Sequence, residues 1–239
     1  NTSVQFGSAG AVGNGITQLS TNTVYYFQVQ STNSATGVVS AFLNIGSTST
    51  WAVAPASPAA NPVSTAAVGL NWDIGSNPAG LTSYTAELST SSSFATINVS
   101  SVTLNASATF FSLVSNTTFY VRVKATNNSS VATTYSATVT SGTLAAAPGF
   151  AAISAVNVSS LTANWTANGN LFPGTTFVMS LSTSSGIDIA DGTFSSGTTL
   201  SSSAVFGSGG GVSVTLTPNT TYYLKVNSLG FSGRQSTPT

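Results

Sequence analysis

Chemistry at a protein site needs titratable or nucleophilic groups that converge, and this sequence offers few. Its 239 residues include four Asp or Glu, four Lys or Arg, no histidine and no cysteine. The acids are Asp73, Glu87, Asp188 and Asp191. Only the run Asp188-Ile189-Ala190-Asp191-Gly192 brings two of them together. It lacks the alternating oxygen ligands of a calcium loop and reads as a solvated turn. A carboxylate pair for glycoside hydrolysis needs a cleft and a set separation, and nothing in the pattern supplies either. A serine nucleophile would lack its usual histidine base, and thiolate metal sites are excluded. No catalytic, cofactor-binding or metal-ligating residue is therefore assigned, and the chain reads as non-enzymatic.

Composition narrows the partners. Charged residues make up 3% of the chain, against roughly 25% in an average protein, and the formal net charge is zero. No basic patch exists for a nucleic-acid backbone or for anionic lipid, and no apolar run approaches the roughly 20 residues of a membrane span. A hydrophobic fraction of 41% with 10% aromatics argues for a folded core rather than disorder. No signal peptide is visible at Asn1, and the first residue is not methionine, so a processed or partial chain is expected.

The elements that must position any site come from a repeat. Leu19-Ser20-Thr21-Asn22-Thr23-Val24-Tyr25-Tyr26 returns as Leu113-Val114-Ser115-Asn116-Thr117-Thr118-Phe119-Tyr120 and as Leu216-Thr217-Pro218-Asn219-Thr220-Thr221-Tyr222-Tyr223. The spacing, 94 and then 103 residues between the asparagines, is that of whole domains rather than solenoid units. Each copy reads as a turn and then a strand. Asn-Thr side chains bond nearby backbone, and the following residues alternate: Phe119, Val121, Val123 and Ala125 on one face, Tyr120, Arg122 and Lys124 on the other. Strand alternation also turns Thr85 and Glu87 outward, which predicts Glu87 across the sheet from Arg122 or Lys124 in an exposed pair.

The run Leu216, Pro218, Thr220, Tyr222 resembles the start of strand F in a fibronectin type III domain. In that family the tyrosine hydroxyl bonds back to the backbone as a tyrosine corner. Tyr25 and Tyr222 match it, whereas Phe119 keeps the packing and loses the hydroxyl. Val68-Gly69-Leu70-Asn71-Trp72 and Leu161-Thr162-Ala163-Asn164-Trp165 look like strand B with its core tryptophan, and Tyr84 and Phe177 follow at the same spacing, where strand C should begin. The resemblance implies an all-β fold of tandem fibronectin type III-like (immunoglobulin-like) β-sandwiches, the first incomplete. The expected domains are 1–52, the C-terminal half of one sandwich; 53–144, a complete one; and 145–239, a nearly complete one with a longer glycine-rich loop over Gly186 to Gly211. In the first copy strand F is expected near 24–31 and strand G near 38–46, after a strand and turn between Val4 and Gly15. In the second, strand G is expected over Ala132 to Val139. Ala52 to Ala60, with Pro55 and Pro58, reads as a linker.

A half-sandwich exposes its inner face. Phe27 and Val29 should face inward, covered by strands preceding Asn1 or by strands of a neighbouring subunit. Trp72 and Trp165 are expected in the core, with Tyr25, Phe119 and Tyr222 as the other markers. Tyr26, Tyr120 and Tyr223 turn outward and form a candidate adhesive or glycan-binding face. Among the Asn-x-Ser/Thr acceptors, Asn98, Asn105 and Asn128 are the candidate glycosylation sites. The F–G loops contain no Arg-Gly-Asp, so the integrin binding of some family members is not carried over. The expected role is a structural segment of an extracellular or cell-surface fibre, stalk, surface layer or adhesin shaft. The alternative is a spacer or carbohydrate-binding accessory module of a larger secreted polysaccharide-degrading enzyme. The expected partners are copies of itself, neighbouring domains or glycans, with no cofactor, nucleic acid or membrane.

Overall fold

The computed structural model describes residues 18–172, 174–186, 195–230, 233 and 235–236. The strand and turn expected between Val4 and Gly15, the Asp188–Asp191 pair and the loop residues Phe231 and Arg234 lie outside them. The described residues form fifteen β-strands and no helix.

The first repeat contributes β1 (Val24–Val29) and β2 (Leu43–Ser49), an antiparallel pair. β2 begins later than the sequence predicts, because residues 31–40 are spent on the reversal. Asn33 Oδ1 accepts the N–H groups of Ala35 and Thr36, an Asx turn, and the Thr32–Val39 bridge closes the loop. Phe27 is half-buried and Val29 exposed.

The second repeat runs β3 (Ala56–Ser64), β4 (Ala67–Asp73), β5 (Ser83–Ser89), β6 (Val99–Thr103), β7 (Ser107–Phe110), β8 (Thr118–Thr126) and β9 (Val139–Gly142). Its two sheets have the orders β3-β4-β7 and β6-β5-β8-β9. That is the A-B-E and C′-C-F-G arrangement of a fibronectin type III sandwich. Pro58, read in the sequence as linker, instead lies inside β3. Proline removes a ladder donor, and β3 tolerates it because it is an edge strand. Regular strand G also differs from the expected 132–139. From Thr133 to Ser136 the chain follows β8 through side chains: the N–H groups of Ala125 and Val123 donate to the Thr133 and Ser136 hydroxyls, and the N–H groups of Thr133 and Ser136 donate back to the carbonyls of Ala125 and Val123. A ladder in which hydroxyls replace carbonyls does not register as a strand until β9.

The third repeat runs β10 (Gly149–Ser154), β11 (Ser160–Thr166), β12 (Thr176–Ser182), β13 (Ser195–Thr199), β14 (Ser203–Gly207) and β15 (Tyr223–Leu229), in sheets β10-β11-β14 and β13-β12-β15. The stretch from Gly186 to Gly211 is thus not one long loop: it carries two strands. Gly207 starts the tight turn that follows β14, with φ of 137°, and a Cβ there would press into the Ser159 carbonyl oxygen, so only glycine fits.

Packing divides the chain into two compact units. One comprises the described residues up to Ala59 with Leu70–Ala108 and Tyr120–Val139; the other comprises Ala60–Gly69, Thr109–Phe119 and the residues from Thr140 on. In the first, Leu70, Trp72, Tyr84, Ala86, Leu88, Val121, Val123 and Ala125 are buried. Trp72 on β4 meets Tyr84 on β5 with ring centroids 5.5 Å apart, so these strands face each other across a core. In the second, Trp165 on β11 meets Phe177 on β12 at 5.8 Å, within a core that includes Met179, Leu181, Phe206 and Val226.

Candidate functional site

Among the described residues the titratable side chains do not assemble a catalytic centre. Asp73 accepts the Gly75 N–H in a local turn, and no group of three or more metal-ligating residues occurs among the described residues. Glu87 does lie across from Arg122 in the register of β5 and β8. The pair is half-buried rather than exposed as the sequence predicts, with Arg122 and Glu87 side chains 23% and 13% exposed. Arg122 donates from Nε and Nη2 to one Glu87 carboxylate oxygen, and the Tyr135 hydroxyl donates to the other. The guanidinium lies between the Phe94 and Tyr135 rings, 3.9 and 3.7 Å from their centroids. A planar cation with an apolar face suits such a stack. With each oxygen of the carboxylate bonded, the cluster is a structural brace.

The three outward tyrosines occupy equivalent strand positions, each opposite a serine: Tyr26 opposite Ser47, Tyr120 opposite Ser89, Tyr223 opposite Ser182. Tyr26 is 81% exposed, Tyr223 41%, and Tyr120 is half-buried. Trp72 and Trp165 lie in the core, which removes them as a sugar-stacking platform. The Tyr25 hydroxyl accepts the Ser20 N–H at 2.8 Å, and the Tyr222 hydroxyl accepts the Thr217 N–H at 2.7 Å. Phe119 is buried with no such bond to give. Asn98 and Asn105 are exposed. Asn128 is not free to carry a glycan, because its amide nitrogen donates to the Asn22 carbonyl.

That last bond belongs to the most regular polar feature of the chain, found within each compact unit where one repeat meets the next. The turn asparagines Asn22, Asn116 and Asn219 have φ of 44°, 54° and 54°, a left-handed conformation that asparagine tolerates better than most residues. In the first unit Asn22 Nδ2 donates to Thr82 Oγ1 at 2.9 Å, and Asn22 Oδ1 accepts the Asn128 N–H at 2.7 Å. In the second unit Asn116 Nδ2 donates to Thr175 Oγ1 at 3.0 Å and to the Leu229 carbonyl at 3.1 Å. Thr82 and Thr175 in turn donate to the carbonyls of Pro78 and Leu171.

A second asparagine fixes the connecting segment. Asn77 Oδ1 accepts the Val53 N–H and Asn77 Nδ2 donates to the Val53 carbonyl, both at 2.8 Å. Asn170 clamps Ala146 in the same two-point way, both at 2.9 Å. Asn77 and Asn170 are 4% and 5% exposed, so each buried amide is satisfied by two bonds to the partly buried backbone of the connecting segment. Sequence reasoning missed both clamps. The signal was present: Asn77 and Asn170 share the spacing of Pro55 and Pro148, 93 residues. The phenol of Tyr84 sits beside the first of these networks, and burial raises its pKa above the ordinary value, partly offset by Asn77 and Thr82.

No protein-family model and no curated protein matches this sequence. Solved structures do match. A two-domain fibronectin type III segment of chicken tenascin is 15% identical over 78% of this chain and 97% of its own, with a TM-score of 0.47. The FN1–FN3 domains of chicken CNTN1 are 15% identical over 94% of this chain and 77% of their own, with a TM-score of 0.35. An Fn3-like protein from Clostridium thermocellum is 23% identical over 38% of this chain and 93% of its own, with a TM-score of 0.32. The described residues are all-β, and the second and third repeats are two-sheet sandwiches with the strand order of the fibronectin type III fold.

Proposed function

We propose that this chain is a non-enzymatic structural segment, a spacer in an extracellular or cell-surface fibre, stalk, surface layer or adhesin shaft. One observation carries the reading: both repeat-to-repeat joints share an asparagine-to-threonine bond and a two-point asparagine clamp on the connecting backbone. A flexible tether needs no such device; a linker without fixed contacts behaves as a coil. Buried amide clamps that recur at each joint set the joint and hold it. A charge-poor surface suits association into a larger assembly, which supports the fibre or layer form of the role.

The test is a measurement of joint rigidity. Small-angle scattering of the chain should fit one conformation, and Asn22→Ala with Asn116→Ala should broaden it into an ensemble while circular dichroism stays unchanged. Equal breadth before and after substitution would overturn the role of the joints, and turnover of a polysaccharide by the chain would overturn the non-enzymatic reading.

A further inference from the structure

The two clamps differ in the residues just before them. Two positions ahead of each clamp the backbone is left-handed. The second repeat places Gly75 there, with φ of 59°, ahead of Asn77; the third places Asn168, with φ of 49°, ahead of Asn170. Gly169 follows with φ of 84°, and the Asn170 N–H closes the turn on the Ala167 carbonyl at 3.1 Å. Positive φ at both central residues is the type I′ turn, whose preference for Asn-Gly accounts for the dipeptide. The sequence has one other Asn-Gly, at Asn14, which lies outside the described residues.

This dipeptide is open both to water and to its own backbone. Asn168 and Gly169 are exposed. The Gly169 N–H has no partner among the described residues. A Cβ at Gly169 would meet nothing nearer than Ser115 Oγ, at 3.9 Å, so the peptide plane has room to turn. The Asn168 amide is held by an exposed bond, Nδ2 donating to the Ala147 carbonyl at 2.9 Å. Asn170, in contrast, is 5% exposed, bonded through both amide atoms and followed by Leu171. An unbonded main-chain nitrogen beside a side-chain carbonyl of the preceding residue is an intramolecular nucleophile, with the rate advantage of proximity.

We infer that Asn168 is a site of spontaneous deamidation, which converts it to aspartate and isoaspartate. The Gly169 nitrogen bonds to Asn168 Cγ as the Cγ–Nδ2 bond breaks, and ammonia leaves with the proton of the Gly169 amide. Water then opens the cyclic imide. Addition at Cγ gives aspartate; addition at the main-chain carbonyl gives isoaspartate, whose backbone is longer by a methylene. Either product sets a carboxylate against the Ala147 carbonyl, where Nδ2 had donated. The longer backbone falls immediately before Asn170, which holds Ala146 at two points. Conversion therefore loosens the Asn170 clamp. The Asn77 clamp is spared, because Gly75-Ser76 ahead of it carries no side-chain amide.

The full chain, its Asn168→Gly variant and a synthetic peptide of residues 165–171, Trp-Thr-Ala-Asn-Gly-Asn-Leu, are aged together in mildly alkaline buffer and mapped by mass spectrometry. The mass gain of an amide-to-acid exchange is expected at Asn168 of the folded chain, with part of the product accepting a methyl group from an isoaspartyl methyltransferase. The variant, which copies the glycine of the second repeat, should fold and show no gain at that position. Hydrogen exchange at the Ala146 amide should become roughly tenfold faster in the aged chain than in the aged variant. An unchanged Asn168 when the peptide has fully converted would overturn the site. Conversion without a methyl acceptor would overturn the cyclic imide route, and conversion with Ala146 exchange unaltered would overturn the effect on the clamp. Scattering from the fresh chain is independent of these results, so this site and the spacer role fail separately.

Discussion

The second and third repeats solve one packing problem with their aromatic hydroxyls exchanged. The second has tyrosine on strand C and phenylalanine on strand F, Tyr84 and Phe119; the third has Phe177 and Tyr222. Both keep a tryptophan against the strand C ring, at 5.5 and 5.8 Å. The outer faces differ as well. Arg122 is stacked and paired with Glu87, whereas Lys225, opposite Ser180, donates to the Gly186 carbonyl. What recurs is the frame of the joint, where Asn22 with Thr82 repeats as Asn116 with Thr175 and the Asn77 clamp repeats as Asn170. Core volume and joint geometry are therefore the fixed quantities, and polar handles on the core are adjustable.

The largest effects should come from the shared core. Trp72→Ala and Trp165→Ala should each cost about 3–5 kcal/mol, the usual penalty for deleting a large buried aromatic, read as a fall in the calorimetric transition. Neither indole N–H has a protein acceptor, so the loss is one of packing alone. Tyr120→Ala, at a half-buried outward position, should cost far less. A comparable fall for Tyr120→Ala would mean the faces of β8 are misassigned.

The clamps come next. Asn77→Ala or Asn170→Ala removes two bonds to partly buried backbone groups, at about 1–2 kcal/mol in each case. Chemical denaturation of the two variants should give matching losses. A large loss for one and none for the other would show that the two joints, alike in geometry, differ in energy.

The strand faces were legible in the sequence because alternation in Phe119 to Ala125 is a local period, while the sheet order and the core tryptophans were implied by the family resemblance, carried in part by the Trp72–Tyr84 spacing repeated at Trp165–Phe177. The start of β2, the true extent of strand G and the strands inside Gly186 to Gly211 were not legible. The first depends on the local Asn33 turn, the second on hydroxyls that satisfy the neighbouring strand, as Ser136 does for Val123, and the third on a turn at a left-handed glycine, Gly207; none leaves a period to read. The joints were invisible for the same reason. Asn22 and Thr82 are 60 residues apart, and only comparing repeats exposes them.

A smaller effect separates the outer faces. Arg122→Lys keeps the charge but loses the fork to Glu87 and the stack between Phe94 and Tyr135. About 1–2 kcal/mol should be lost, since the pair is only partly desolvated. Lys225→Ala in the third repeat should change stability by no more than about 0.5 kcal/mol. Thermal melts that fall equally for the two would remove the brace from the account.

The smallest effects test the exchanged hydroxyls, and their signs differ. Tyr222→Phe removes the acceptor of the Thr217 N–H and should cost about 1 kcal/mol. Phe119→Tyr adds a hydroxyl where the Val114 N–H, five residues back, stands in the place of Thr217, so it should be neutral or stabilising by up to about 1 kcal/mol. Tyr84 is the opposite case. Its hydroxyl is buried near Asn77 and Thr82 without a well-formed hydrogen bond, so Tyr84→Phe should be within about 0.5 kcal/mol of neutral at pH 7. Its raised pKa has a further consequence. Above the ordinary value of 10.0 an unfolded tyrosine loses its proton while the folded one keeps it, so the unfolded state binds fewer protons and stability falls as pH rises. Below that value the group contributes no pH dependence. Denaturation of wild type and Tyr84→Phe at pH 7 and again above pH 10 should therefore coincide at the lower pH and separate at the higher, with the variant the more stable of the two. Curves that stay superimposed at both would show that the Tyr84 phenol is as easily ionised folded as unfolded, and that the second repeat has no cost for keeping its hydroxyl on strand C.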